Sequence, residues 1–233
     1  IMSVIAIDSG RDADAASALE GLSRRYEAAK ARRGDWEALW RDAYEYALPQ
    51  RQGFGAAIRP GENRMERLYD GTALDAVEQL AASLLGNLMP PWTQWFGLKP
   101  GPDTPPERAE TLAPVLEKAA RTIQAHFDRS NFVVEIHQCF LDLIVGGTAC
   151  LFLEENEPGE FSAFKFTAVP LSQIVLEEGA GGILNAAFRE IPLTLTQLRA
   201  RYAGAEIPEA VLKDGAKDPQ KRFTVLECIV PEG

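Results

Sequence analysis

The chain has 233 residues, 46% of them apolar, with 34 acidic against 24 basic side chains and a formal net charge of −10. A domain of this size removes roughly 70 to 75% of its unfolded surface from water, which excludes a disordered segment. The acidic balance argues against a protein that grips nucleic acid, because such affinity comes mostly from cations displacing counterions along the phosphates; it leaves room for one that conducts DNA without adhering to it.

Three cysteines, Cys139, Cys150 and Cys228, lie in apolar surroundings without C-x-x-C spacing and read as reduced core residues. The opening IMSVIAI lacks a basic region and runs into Asp8, so it does not read as a secretion signal. No run approaches the ~20 apolar residues needed to span a bilayer. The expectation is a soluble protein of a reducing compartment, with no internal repeat.

Residues 1–16 lack periodicity, and the Arg11 to Asp14 region reads as a solvated arm. Ser17 and Glu20 have capping-box spacing and predict a helix with Leu22, Tyr26 and Ala29 on one side and Arg24, Arg25, Lys30, Arg32 and Arg33 crowding the others. Gly34 and Asp35 are expected to end it and cap a second helix. There Trp36, Leu39, Trp40, Ala43, Tyr44 and Ala47 form an apolar stripe that should pack on the helix that follows. Residues 50–68 read as a loop. Thr72, with Asp75 three residues on, is expected to cap that third helix, whose Leu74, Val77, Ala81, Leu84 and Leu88 recur at three and four residues until Pro90 and Pro91 stop it. Trp92, Trp95 and Phe96 then predict an aromatic cluster at the helix end.

After a PGPDTPP linker, Pro106 suits the first position of a helix, and Pro114 is expected to break or kink it before Val115, Leu116, Ala119, Ile123 and Phe127 carry its apolar face onward. Asn131 predicts the cap of a fifth helix, with Phe132, Ile136, Phe140 and Leu143 inward and Gly146-Gly147 as its stop. From Thr148 the period becomes two. Strands are expected at 149–153, 161–169, 173–176, 183–190 and 223–230, with turns at 156–159 and 179–182. A Thr194–Gln197 capping box predicts a helix through Tyr202, and a weaker helical segment follows at 208–213. The fold class is therefore α+β: a mainly helical part, 1–147, followed by a mainly antiparallel β-rich part, 148–233. A last strand followed by only Pro231, Glu232 and Gly233 suggests a piece of a longer chain.

A search for chemistry finds no candidate catalytic, cofactor-binding or metal site. GGT at 146–148 lacks the G-x-x-x-x-G-K-[ST] frame of a phosphate cradle, and neither G-x-S-x-G nor H-E-x-x-H occurs. His126 and His137, even with Cys139 and Cys150 nearby in sequence, fall short of a zinc site's converging ligands. Glu154-Glu155 and Glu177-Glu178 are adjacent on strands, where neighbours face opposite sides, and read as strand-end charges. The basic cluster of residues 24–33 reads either as a solvated helix face or as a contact for DNA or an acidic neighbour.

Several stretches, taken in order, resemble the portal, or head-to-tail connector, proteins of short-tailed phages. They are the arginine-rich helix followed by W-x-x-x-W and AYEYALP; YDGTA and the small-residue helix ending in PPWTQWF; FLDLIVGGTACLFLEE; and PLSQIVLEEGAGGILNAAFREIPLTLTQLRARY. Together they run from about Arg24 to Tyr202. The resemblance implies a structural, non-enzymatic subunit of a closed homo-oligomeric ring of about twelve copies. That ring would lie at the head–tail vertex of a virion, assembled in the host cytoplasm. Implied partners are capsid and scaffolding proteins, the large terminase motor, tail or adaptor proteins and double-stranded DNA in the channel, with no small-molecule substrate. It also implies that both parts of the chain belong to the wing, with stem, clip and crown absent, and it leaves any DNA-binding residues unassigned. The competing expectations are a nucleic-acid-processing or nucleotide-dependent enzyme whose catalytic half is missing, and a monomeric scaffold.

Overall fold

The computed structural model describes residues 12–51, 54, 68–90, 93–157, 159–179 and 181–231, with side chains from residue 19. Among the described residues, six α-helices and five strands occur in the order α1 (Asp12–Ala47), α2 (Thr72–Leu88), α3 (Pro106–Arg129), α4 (Phe132–Gly146), β1 (Cys150–Glu155), β2 (Phe164–Val169), β3 (Ile174–Glu178), β4 (Leu184–Thr194), α5 (Leu195–Arg201), α6 (Glu209–Lys217) and β5 (Arg222–Ile229). The class is α+β, with an antiparallel β1-β2 pair and an antiparallel β3-β4-β5 sheet. The chain forms two compact units that do not divide at residue 147. One holds α1 up to Leu39 together with the chain from Ser172 onward, and the other runs from Trp40 to Leu171.

Four helices, not five, precede the first strand among the described residues, because α1 continues through Gly34 and Asp35. A helical glycine costs only about 1 kcal/mol relative to alanine. The Arg33–Glu37 pair spans the position at 2.7 Å, so the local signal for a break is overruled. Ser17 lies inside this helix rather than at its start. Of the expected arm, Arg11 lies outside the described residues and 12–14 already belong to α1; most of the 50–68 loop lies outside the described residues.

In the first unit, α1 covers one face of the three-stranded sheet. Tyr26 and Ala29 pack with Val175, Ala186, Phe188 and Leu226, and Leu22 and Cys228 lie at the margin. The strand register explains the set: Val175 and Cys228 both stand opposite Phe188, so all three point to one side. The tight β3–β4 turn is made by glycines at positive φ, 82° at Gly181 and 76° at Gly182, where a side chain would be strained. On the opposite face, α5 begins at a complete capping box, with Gln197 N–H donating to Thr194 Oγ1 and the Gln197 side chain accepting from the Thr194 amide. Leu195 and Leu198 are buried. α6 approaches so closely at Gly215 that a Cβ there would lie 2.7 Å from the Leu195 side chain.

In the second unit, α2 packs chiefly on α4. Its start is held differently from the expected Thr72–Asp75 box: Asp70 Oδ1 accepts from Thr72 N–H at 3.0 Å and from its hydroxyl at 2.7 Å. The hydroxyl bond, then the amide bond, holds the Asp70 carboxyl below its ordinary range. The helix ends at Leu88, ahead of Pro90, as expected. The W-x-x-x-W stripe does not pack as a block on α2. Tyr44 is buried and Trp40 stacks on Phe54 at 5.1 Å, while Trp36 and Tyr46 are exposed. Pro106 opens α3, and Pro114 does not break it. Glu110 and Pro114 lie on the exposed side, where water can satisfy the carbonyl left without its amide.

The aromatic cluster forms, apart from Trp92, which lies outside the described residues. Trp95 stacks on Phe132 at 5.9 Å, Phe127 on Phe132 at 4.8 Å, and Phe164 and Phe166 close it edge-on against Phe127. Phe161, expected at the start of the 161–169 strand, lies outside β2 and is exposed. Gly147, at φ 72°, closes α4 in the left-handed conformation.

Candidate functional site

Several charged side chains make contacts between distant elements, although most described charged residues are exposed. Of the five basic residues in the 24–33 cluster of α1, Arg25 grips Glu177 of β3, with Nε and Nη2 at 3.0 and 2.6 Å from Oε2. Lys30 donates to Glu190 of β4 at 2.8 Å and to the Tyr26 hydroxyl at 2.6 Å, and that hydroxyl in turn donates to Glu190. Arg33 donates to the main-chain carbonyl of Ile174 on β3 and pairs with Glu37. Three of the five thus brace α1 against the sheet. Within that cluster Arg24 and Arg32 are exposed, and Arg24 lies 3.7 Å from Glu20. The cluster is thus divided: a helix on a sheet brings Arg25, Lys30 and Arg33 to a strand carboxylate or carbonyl more than 130 residues away in sequence, and Arg24 and Arg32 stay in solvent.

Glu177 is therefore an anchor for α1 rather than a strand-end charge, and a register shift between Glu177 and Glu178 separates it from its neighbour. Burial pushes the Glu190 carboxyl up, but the hydrogen bonds from Lys30 and Tyr26 outweigh it and hold the group below its ordinary range. On the other face of the sheet, Glu227 accepts from Arg201 Nε at 2.9 Å and from the Tyr202 hydroxyl, and stands 3.5 Å from Arg189.

The second unit has its own polar centre. Asp142, with 1% of its surface exposed, receives Arg51 Nε and Nη2 at 3.1 and 2.6 Å and the Tyr44 hydroxyl at 2.9 Å. Arg51 also donates to Gln138 and to the Ala168 carbonyl, tying α4 and β2 together. Asn131 does not cap α4 with its side chain. Its amide exchanges two bonds with the backbone of Phe166, at 2.7 and 3.0 Å, and Glu135 accepts from Ala168 N–H at 2.7 Å. Side chains thus take the place of a neighbouring strand along the free edge of β2, leaving fewer open groups for unwanted pairing.

The two histidines are not brought together as ligands. His126 Nδ1 accepts from Ala163 N–H at 3.1 Å, and His137 Nε2 lies 3.4 Å from Glu78 on α2. Among the described residues no group of three or more His, Cys, Asp or Glu could hold a metal ion. Cys139 is buried and Cys150 and Cys228 half-buried, all as free thiols, and burial pushes Cys139 up to about 12. No described helix is long and apolar enough to cross a membrane. Several large apolar side chains are exposed as well, among them Trp36, Leu39, Leu80, Leu88, Val134, Phe161 and Ile183.

The buried phenols give this network a pH signature. Burial, then the hydrogen bond to Glu190, pushes Tyr26 up to about 12; burial, then the bond to Glu227, does the same for Tyr202. Burial and the Asp142 charge move Tyr44 upward as well. A phenol whose value rises on folding stabilises fully below its unfolded value of about 10, and that contribution is lost as pH rises toward and through about 12. Stability measured by urea unfolding is expected to decline between those two values. Tyr202→Phe should shrink the decline, and an unchanged slope in that variant would contradict the assignment.

Ion pairs between distant elements and several exposed large apolar side chains are what the described residues present. Residues 19–233 match the family described as bacteriophage head to tail connecting protein, and the chain belongs to that family. It is also similar to a probable portal protein of Bordetella phage BPP-1, 25% identical over 180 residues that take in 76% of this chain and 31% of the relative. The chain therefore spans about a third of the length of the curated relative it matches.

Proposed function

We propose that this chain contributes to one subunit of a phage portal ring, the channel at the head–tail vertex through which double-stranded DNA is packaged and ejected. The observation that carries the reading is the family match running through residues 19–233. Physical features support it. A closed ring needs two different, complementary flanks on each subunit, and exposed apolar side chains such as Trp36, Leu39 and Val134 supply contact surface that a solitary protein would not need. The net charge of −10, with Arg25 and Lys30 of α1 held in pairs with the sheet, suits a body past which DNA slides without adhering.

In this reading both parts of the chain, 1–147 and 148–233, belong to the wing of the subunit, and the ring has about twelve copies. Capsid and scaffolding proteins, the large terminase and tail or adaptor proteins dock on the assembled ring, which forms in the host cytoplasm before it enters the virion. The subunit acts as structure and not as an enzyme. Native mass spectrometry and electron micrographs of the full-length polypeptide test this. A single annular species of about twelve subunits is expected, and persistence as separate molecules at high concentration and in assembling particles would overturn it.

A further inference from the structure

We propose that His126 is a proton-operated clasp on the β1–β2 hairpin, fastening its neck to the last turn of α3 when the imidazole is neutral and releasing it when the ring takes up a proton. The neck is the three-residue run Ser162–Phe164, just before and into β2. His126 Nδ1 accepts from Ala163 N–H at 3.1 Å, so that nitrogen carries no proton and the neutral ring holds its hydrogen on Nε2. The main-chain carbonyl of His126 accepts from Ser162 Oγ at 2.8 Å. The same Oγ, on a residue only 4% exposed, accepts from Phe164 N–H at 3.1 Å. Ala163 O in turn accepts from Asn156 N–H at 2.9 Å, which closes the hairpin beyond the last β1–β2 pair. One residue of α3 thus binds the neck through two acceptors, with its ring edge-on to Phe164.

The two acceptors respond differently to acid. The carbonyl is indifferent to pH. Nδ1, once protonated, becomes a donor facing another donor, so an attraction is replaced by a repulsion. Ala163 is exposed, and its freed amide can turn to water. The outcome is therefore a local opening of the neck, next to the exposed ring of Phe161, rather than loss of the fold.

Other ionisable groups stand on the elements that meet here. On α3 they are Asp128, which accepts from Gln124, and Arg129, which donates to the Ala125 carbonyl. On α4 there is Glu135, held by Ala168 N–H. On the hairpin there are Glu154, Glu155, Glu157, Glu160 and Lys165. Any contribution from these is shared by a variant that changes His126 alone, which makes that variant the control.

Amide hydrogen exchange of residues 156–164, corrected for intrinsic rates, is compared at about pH 8 and about pH 5, the interval in which imidazole changes charge. In the native chain the protection of the Ala163 amide is expected to fall about tenfold on acidification, the scale of one lost hydrogen bond. His126→Asn places an oxygen that does not titrate where Nδ1 stood and should keep the amide protected at both values. His126→Phe should leave it unprotected at both, with far-ultraviolet circular dichroism reporting an intact fold. Constant protection in the native chain, an equal fall in His126→Asn, or no protection in His126→Asn at pH 8 would each overturn the proposal.

Discussion

Replacing Arg51 with methionine is expected to destabilise the protein by about 3–5 kcal/mol, the cost of leaving a buried charge without its counter-ion. Asp142 is 1% exposed, and its carboxylate is held by two guanidinium nitrogens and one phenol. Removing the guanidinium leaves the Tyr44 hydroxyl as its remaining donor among the described residues, too little for a full charge away from water. The Gln138 amide and the Ala168 carbonyl lose a donor as well. Urea unfolding followed by tryptophan fluorescence reads this unit directly, since Trp40 and Trp95 both belong to it. The sharper test is the pair: Arg51→Met together with Asp142→Leu should recover most of the loss, because two apolar side chains leave no charge stranded. The Tyr44 hydroxyl, then without an acceptor, keeps the recovery incomplete. If the single variant lost under about 1 kcal/mol, the pair would be behaving as an exposed one and the buried-charge account would fail.

How far the sequence reveals this architecture depends on the distance over which each feature is decided. The Thr194–Gln197 box, Pro106 at a helix start and Gly147 at a helix end are settled within a few residues, and each stands where local chemistry predicts. Gly34–Asp35 carried an equally local signal that failed, since about 1 kcal/mol of glycine propensity is smaller than what packing on either side supplies. Asn131 lay at the expected helix start, yet its side chain serves Phe166, 35 residues on. The polar centres were illegible because they are contacts of register and topology: Arg25 meets Glu177 across 152 positions, and Arg51 meets Asp142 across 91. A visible hint existed in Asp142, an acidic residue in the apolar run FLDLIVGG, since a carboxylate in such a place requires a cation. Function was legible by another route. No single site announces it, and the order of several weak motifs pointed to the connector family that the match over residues 19–233 establishes.

Phe188→Ala should cost about 3–5 kcal/mol, the usual range for emptying a fully buried aromatic position. The ring is 0% exposed and occupies the middle strand of the three-stranded sheet, between Val175 on one side and Cys228 on the other. Tyr26 of α1 meets it edge-on at 5.9 Å. A cavity there removes the apolar support beneath Tyr26 while leaving its hydroxyl tied to Glu190 and Lys30, so the two halves of that side chain's anchorage are separated. Arg25–Glu177 and Lys30–Glu190, each partly exposed, contribute at most about 1 kcal/mol apiece and cannot make up the loss. The apolar contact should therefore dominate over the more conspicuous ion pairs in holding α1 to the sheet. Thermal and urea unfolding of Phe188→Ala beside Glu190→Gln decides the order: the alanine variant is expected to fall much further. Phe188→Leu, which keeps most of the volume, should lose under about 1.5 kcal/mol. Equal losses for Phe188→Ala and Glu190→Gln would instead make the Tyr26–Lys30–Glu190 network the principal fastening, and its contribution, tied to a carboxyl held below its ordinary range, would then disappear as pH falls through that lowered value.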